Sequence, residues 1–177
     1  YQISGFTEEA SVAELSALGT PVVADLGSGF IDEACQWLRG GKPSWLRDEP
    51  AVKQTLELGA ALVTFSCDKL FGGPQAGVIA GRADLIDACS KHPLMRAFRP
   101  GALVLSALQQ TALAYLRRDG DSIPFWRMAQ TPVPELLARA DALSVGQTVN
   151  TMSMTGSGSL PGEEIPSAGV QLDGDVS

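Results

Sequence analysis

The sequence predicts an α/β fold whose first part is a layered, mostly parallel sheet. Short apolar runs at 21–24, 61–66 and 78–80 alternate with stretches whose apolar residues recur at helical spacing. The first two runs lead into charged residues and glycine-rich turns: Asp25 before Leu26-Gly27-Ser28-Gly29, and Asp68-Lys69 before Gly72-Gly73-Pro74. Ligands of α/β sheets gather at such strand exits. The composition, 45% hydrophobic and 19% charged over 177 residues, is ordinary globular and suits one domain or a domain plus part of a second.

The elements follow in order. The chain begins at Tyr1 rather than Met and opens on what reads as a strand, with no leader. Ser11-Val12-Ala13-Glu14 fits a capping box and starts a short amphipathic helix (Val12, Leu15, Leu18) that stops at Gly19. Pro21 to Ala24 is a short strand ending at Asp25. Residues 31–48, with Trp37, Gly40, Gly41, Pro43 and Trp45, read as a long loop with one helical turn, and loops of this length are often functional. Glu49-Pro50 starts a helix that Gly59 closes. Ala61 to Ser66 reads as a strand buried on both faces. Val78-Ile79-Ala80 is the next strand, and Ala83 to Cys89 is a helix. Leu105, Leu108, Leu113 and Leu116 predict the longest helix, Ala102 to Arg118, with Arg117 and Arg118 at its negative end. That helix divides the chain into a unit at 1–101, a linking helix at 102–118 and a smaller unit at 119–177. In the last unit, Pro132-Val133-Pro134 opens a helix to about Leu143 and Thr148 to Met154 alternates like a strand. A loop at 156–162 and a last strand at Ala168 to Leu172 complete it, and the tail 173–177 carries no structural signal.

Charge and cysteine usage exclude several function classes. A net charge of −7 and a pI near 4.6 argue against nucleic-acid binding by bulk electrostatics through these residues. Cys35, Cys67 and Cys89 form no CxxC, and His92 is the sole histidine, so no metal site is predicted. The thiols read as reduced, and no apolar run is long enough to span a bilayer, so a soluble cytoplasmic protein is expected.

Four features carry chemistry. Lys69 stands just beyond a buried apolar strand, where desolvation favours the neutral, nucleophilic amine; the competing reading is a surface lysine at a strand exit. Asp25 ends the other apolar strand and is placed to face the same crevice. Its competing reading is a cap or turn former before the glycines. An amine that condenses with an aldehyde and a carboxylate that meets a pyridine nitrogen are the two groups pyridoxal phosphate (PLP) requires. The glycine turns around them suit the close approach of a phosphate, although 72–77 lacks the Gly-Lys-Ser/Thr of a P-loop. Arg96 and Arg99, three apart on one expected helical turn, form a fork for a phosphate, selenophosphate or carboxylate, or else a solvated pair.

Three segments together resemble one family. Asp25-Leu26-Gly27-Ser28-Gly29, Ser66-Cys67-Asp68-Lys69-Leu70-Phe71-Gly72-Gly73-Pro74-Gln75-Ala76-Gly77 and His92-Pro93-Leu94-Met95-Arg96-Ala97-Phe98-Arg99 are similar to the bacterial selenocysteine synthases, L-seryl-tRNA(Sec) selenium transferases. Gly5-Phe6-Thr7-Glu8-Glu9 and Gly158-Ser159-Leu160-Pro161-Gly162-Glu163-Glu164 also look like that family.

The resemblance implies a partial three-layer fold-type I PLP transferase, of the aspartate aminotransferase class. On that reading 1–101 is the C-terminal half of the PLP domain and 119–177 starts a small α+β domain. Lys69 takes the Schiff-base role, Asp25 meets the pyridine nitrogen, and Arg96 and Arg99 hold the anionic selenium donor. The implied reaction converts seryl-tRNA(Sec) to selenocysteinyl-tRNA(Sec) with selenophosphate, through an aminoacrylyl intermediate. The implied assembly is a homo-oligomeric ring of dimers, and the tRNA contacts are expected mainly in an N-terminal region absent from this chain.

The chain departs from the family pattern at Cys67, where Gly is usual, and at Pro100-Gly101-Ala102, where Val-Asp-Lys is usual. It is expected to be an internal piece of a longer enzyme and to bind PLP weakly or not at all by itself. The alternatives are a related PLP lyase acting on a small amino acid or amino sugar without tRNA, and a truncated, non-catalytic remnant. A basic N-terminal domain would favour the tRNA substrate over the lyase.

Overall fold

The computed structural model describes residues 10–155 and 163–172. The expected opening strand, the Gly5 to Glu9 motif, the 156–162 loop with its Gly158 to Gly162 motif, and the 173–177 tail lie outside the described residues. Ser11 caps helix α1 (Val12–Ser16) as a reciprocal box: its hydroxyl accepts from the Glu14 N–H at 3.2 Å, and the Glu14 carboxylate accepts from the Ser11 N–H at 2.8 Å.

Strands β1 (Val23–Gly27), β2 (Leu62–Ser66) and β3 (Gly77–Gly81) form one sheet in the order β1-β2-β3. β1 and β2 run parallel with Asp25 opposite Thr64, and an irregularity after Asp25 brings Gly27 opposite Phe65. β3 runs antiparallel to β2, from Leu62 opposite Gly81 to Ser66 opposite Gly77. Of the two strand pairs in this sheet one is parallel and one antiparallel, where a mostly parallel sheet was expected. The connection 67–76 holds ten residues and no helix, too short for the crossover that a parallel neighbour needs.

One sheet face carries Ala24, Leu26, Val63, Phe65, Val78 and Ala80, packed with Val12 and with Val52 and Leu56 of helix α2 (Val52–Glu57). The other face presents Asp25, Thr64, Ser66 and Ile79 to a cleft. β2 is therefore apolar on one face and polar on the second toward its exit, not buried on both faces as expected. Helix α2 starts later than Pro50, because the N–H groups of Val52 and Lys53 donate to the carbonyls of Phe30 and Ile31 at 2.8 and 3.0 Å. Pro50 lies outside the helix and Ala51 is its N-cap.

The stretch between β1 and α2 is a long loop, as expected, and its apolar residues build a second core. Its one helical turn is a 3₁₀ turn at Ser44–Leu46. Phe30, Cys35, Trp37, Leu38, Leu46 and Ala51 are buried together with Leu70, Ala114, Ile123 and Trp126. Helices α3 (Ala83–Lys91), α4 (Leu94–Ala97), α5 (Ala102–Leu116), α6 (Pro124–Ala129) and α7 (Val133–Ala142) follow. α6 has no counterpart in the sequence reading. Ile123 and Trp126, which the sequence places in the smaller unit, pack into this second core. β4 (Gln147–Met154) and β5 (Glu164–Gln171) pair antiparallel, from Gln147 opposite Gln171 to Met154 opposite Glu164, and α7 packs on them. The architecture is mixed α/β.

Candidate active site

The segment after β2 is tied at both ends. The Cys67 N–H donates to the Ala76 carbonyl at 2.8 Å and the Gly73 N–H to the Cys67 carbonyl at 2.7 Å. The Leu70 N–H donates to the Ser28 carbonyl at 2.8 Å, joining this segment to the turn after β1. That turn needs glycine at position 29: φ is +73°, and a Cβ there would lie 2.7 Å from the Ser66 carbonyl oxygen. The Lys69 Nζ comes 3.8 Å from where a Cβ on Gly27 would sit. Asp25 precedes Gly27 by two residues in the same strand. Lys69 thus follows the end of β2 with its amine against Gly27, the last residue of β1, while Asp25 lies two residues earlier in β1.

Two further residues belong to this neighbourhood. The Thr64 hydroxyl donates to Asp25 Oδ1 at 2.8 Å. The buried Ser28 and the charges of Lys69 and Lys42 all act on the Glu49 carboxyl. Burial pushes the Glu49 carboxyl above the usual carboxylate range, outweighing the lowering pull of Ser28 and the two lysines. Sequence reasoning missed both residues. The available signal for Thr64 was a polar side chain alternating with Val63 and Phe65. Glu49 reaches the turn only through the fold of the long connection, which leaves no local signature.

A cleft of about 700 Å³ opens on the polar face of the sheet. Asp25, Thr64, Ser66 and Gln75 line one wall, and Ile86, Met95, Phe98 and Val104 contribute apolar surface from α3, α4 and α5 and the segment between them. Met95 and Phe98, rather than Arg96 and Arg99, line this cleft. Both arginines are exposed, and they do not share a helical turn as expected: α4 ends at Ala97 and Arg99 lies beyond it. Pro100 disfavours the α conformation at the residue before it, which accounts for the early stop.

The sequence profile of the L-seryl-tRNA selenium transferase (SelA) family matches residues 1–177. The chain belongs to that family. It is 41% identical over 188 aligned residues to the L-seryl-tRNA(Sec) selenium transferase of Hyphomonas neptunium, an alignment covering 97% of this chain and 39% of that one. The selenium transferase of Actinobacillus pleuropneumoniae is 37% identical over 97% of this chain and 40% of its own length, and that of Klebsiella pneumoniae is 38% identical over 95% and 38%. The chain therefore spans about two fifths of the length of these selenium transferases. Among the described residues no helix is long and apolar enough to cross a membrane.

Proposed function

We propose that this chain carries the cofactor lysine and the ring-nitrogen carboxylate of a PLP-dependent selenium transferase that converts seryl-tRNA(Sec) to selenocysteinyl-tRNA(Sec) with selenophosphate. The observation that carries the reading is the placement of the Lys69 amine against Gly27, in the strand that bears Asp25. The residues fit PLP: a primary amine to condense with its aldehyde, a carboxylate to receive its ring N–H, and no side chain at Gly27 to block the approach. When bound, PLP supplies an electron sink that acidifies the seryl Cα–H and eases departure of the β-hydroxyl.

The chain's own residues supply the rest. Lys69 Nζ takes the proton from the seryl Cα and returns one to the same carbon after selenium has added. Asp25 holds a proton on the ring nitrogen by accepting its hydrogen bond. Arg96 and Arg99, exposed and outside the cleft lining, are assigned to the oxyanion of selenophosphate on the family resemblance alone. Met95 and Phe98 place apolar surface along the cleft and limit water there. The working enzyme is a cytoplasmic homo-oligomer, a ring of dimers, and takes most of its tRNA contacts from sequence outside these residues.

The test uses an enzyme of the relatives' full length carrying these 177 residues in place of the matching segment. Borohydride reduction after PLP loading, followed by peptide mass spectrometry, should find the phosphopyridoxyl group on Lys69. A label on Lys53 or Lys91 instead, or no label, refutes the assignment. Lys69→Ala should lower selenocysteinyl-tRNA formation by about 10³-fold or more.

A further inference from the structure

We propose that Thr64 is the positioning residue for Asp25, fixing the plane of its carboxylate for the ring nitrogen; this rests on the role proposed above for Asp25. The two residues are register partners on parallel strands, both line the cleft, and the Thr64 hydroxyl donates to Asp25 Oδ1 at 2.8 Å. Asp25 needs such a tether because the ladder is irregular between Asp25 and Gly27, so the backbone holds this strand end less firmly than a regular pair would. An aspartate on an open surface also moves among staggered rotamers. Thr64 is suited to restrain it: a β-branched side chain is stiff at χ1, and its own strand is paired on both sides by β1 and β3. Thr64 is only half-buried, so water can satisfy its hydroxyl and folding does not demand this bond. Its effect therefore falls on the direction of the carboxylate rather than on stability.

The experiment compares Thr64→Val, Thr64→Ala, Thr64→Ser and Asp25→Asn in the PLP-loaded enzyme. It reads the PLP dissociation constant, the induced circular dichroism of the cofactor band and the Tm of the cofactor-free protein. Thr64→Val and Thr64→Ala should weaken PLP binding by about tenfold and reduce the induced dichroism, at a nearly unchanged Tm. Thr64→Ser, which keeps the donor, should restore both readouts. If the donor-free variants bind PLP like the parent while Asp25→Asn binds weakly, or if Thr64→Ser fails to restore them, the positioning role is overturned and the role of Asp25 stands. If Asp25→Asn itself binds like the parent, the proposed function falls and this inference with it.

Discussion

Cys67, two residues before Lys69, is fully buried. Burial and the neighbouring Asp68 charge both push its thiol upward. Cys35 is pushed up to about 11, chiefly by burial, with Lys42 opposing and Asp32 and Glu33 adding. The thiolate is the reactive form, so both side chains act as packing groups rather than nucleophiles. Iodoacetamide on the folded chain at about pH 8 should modify Cys89 alone, the one of the three that is not buried, and mass spectrometry should find all three modified in denaturant. Alkylation of native Cys67 would contradict this. At this scale the sequence singled out Lys69 and Asp25 because each sits where an apolar run meets glycines, and the structure places them after β2 and within β1. Thr64 and Glu49 acquire their roles from strand register and from a long connection, which no local pattern encodes.

The elements around the lysine are held by one phenol. Tyr115 of α5 donates toward the carbonyls of Leu70 and Phe71, at 3.3 and 3.1 Å, and accepts from the Trp126 indole N–H of α6 at 2.8 Å. Burial pushes the Tyr115 phenol well above its usual range, so it remains a neutral donor. Tyr115→Phe leaves the fully buried Trp126 N–H without its acceptor. It should cost about 2 kcal/mol and lower Tm by about 4–8 °C in calorimetry; an unchanged Tm would show that water replaces the phenol. Helices with caps or long periodic stretches, α1 and α5, were readable from sequence. α6 was not, since its six residues are too few to show a period and its start at Pro124 reads equally as a turn. Apolar alternation is blind to strand polarity, so the antiparallel direction of β3 was not legible from its own residues; the ten-residue connection held that information.

Across the whole molecule, apolar side chains remain at the surface. Leu103, Leu116 and Phe98 are 88%, 80% and 71% exposed. Large exposed apolar surface favours dye binding and self-association, while a net charge of −7 opposes association until salt screens it. The isolated 177-residue chain should therefore bind anilinonaphthalene sulfonate, and its light scattering should rise with concentration and further with added salt. A monomer that ignores the dye would show that these side chains are covered in solution. With 13 lysines and arginines against 20 acidic residues, a polyanion gains little from bulk attraction to this chain.

The connection into antiparallel β3 sets how the Lys69 amine can travel. A lysine on a crossover would ride with a helix, but here it stands on a bend whose two feet are pinned and whose middle is latched to the turn after β1 by the Leu70 N–H. Its backbone is a fixed mooring, and any travel of the amine must come from the four methylenes of the side chain alone. Deuterium exchange at the Leu70 and Gly73 amides should accordingly be slow.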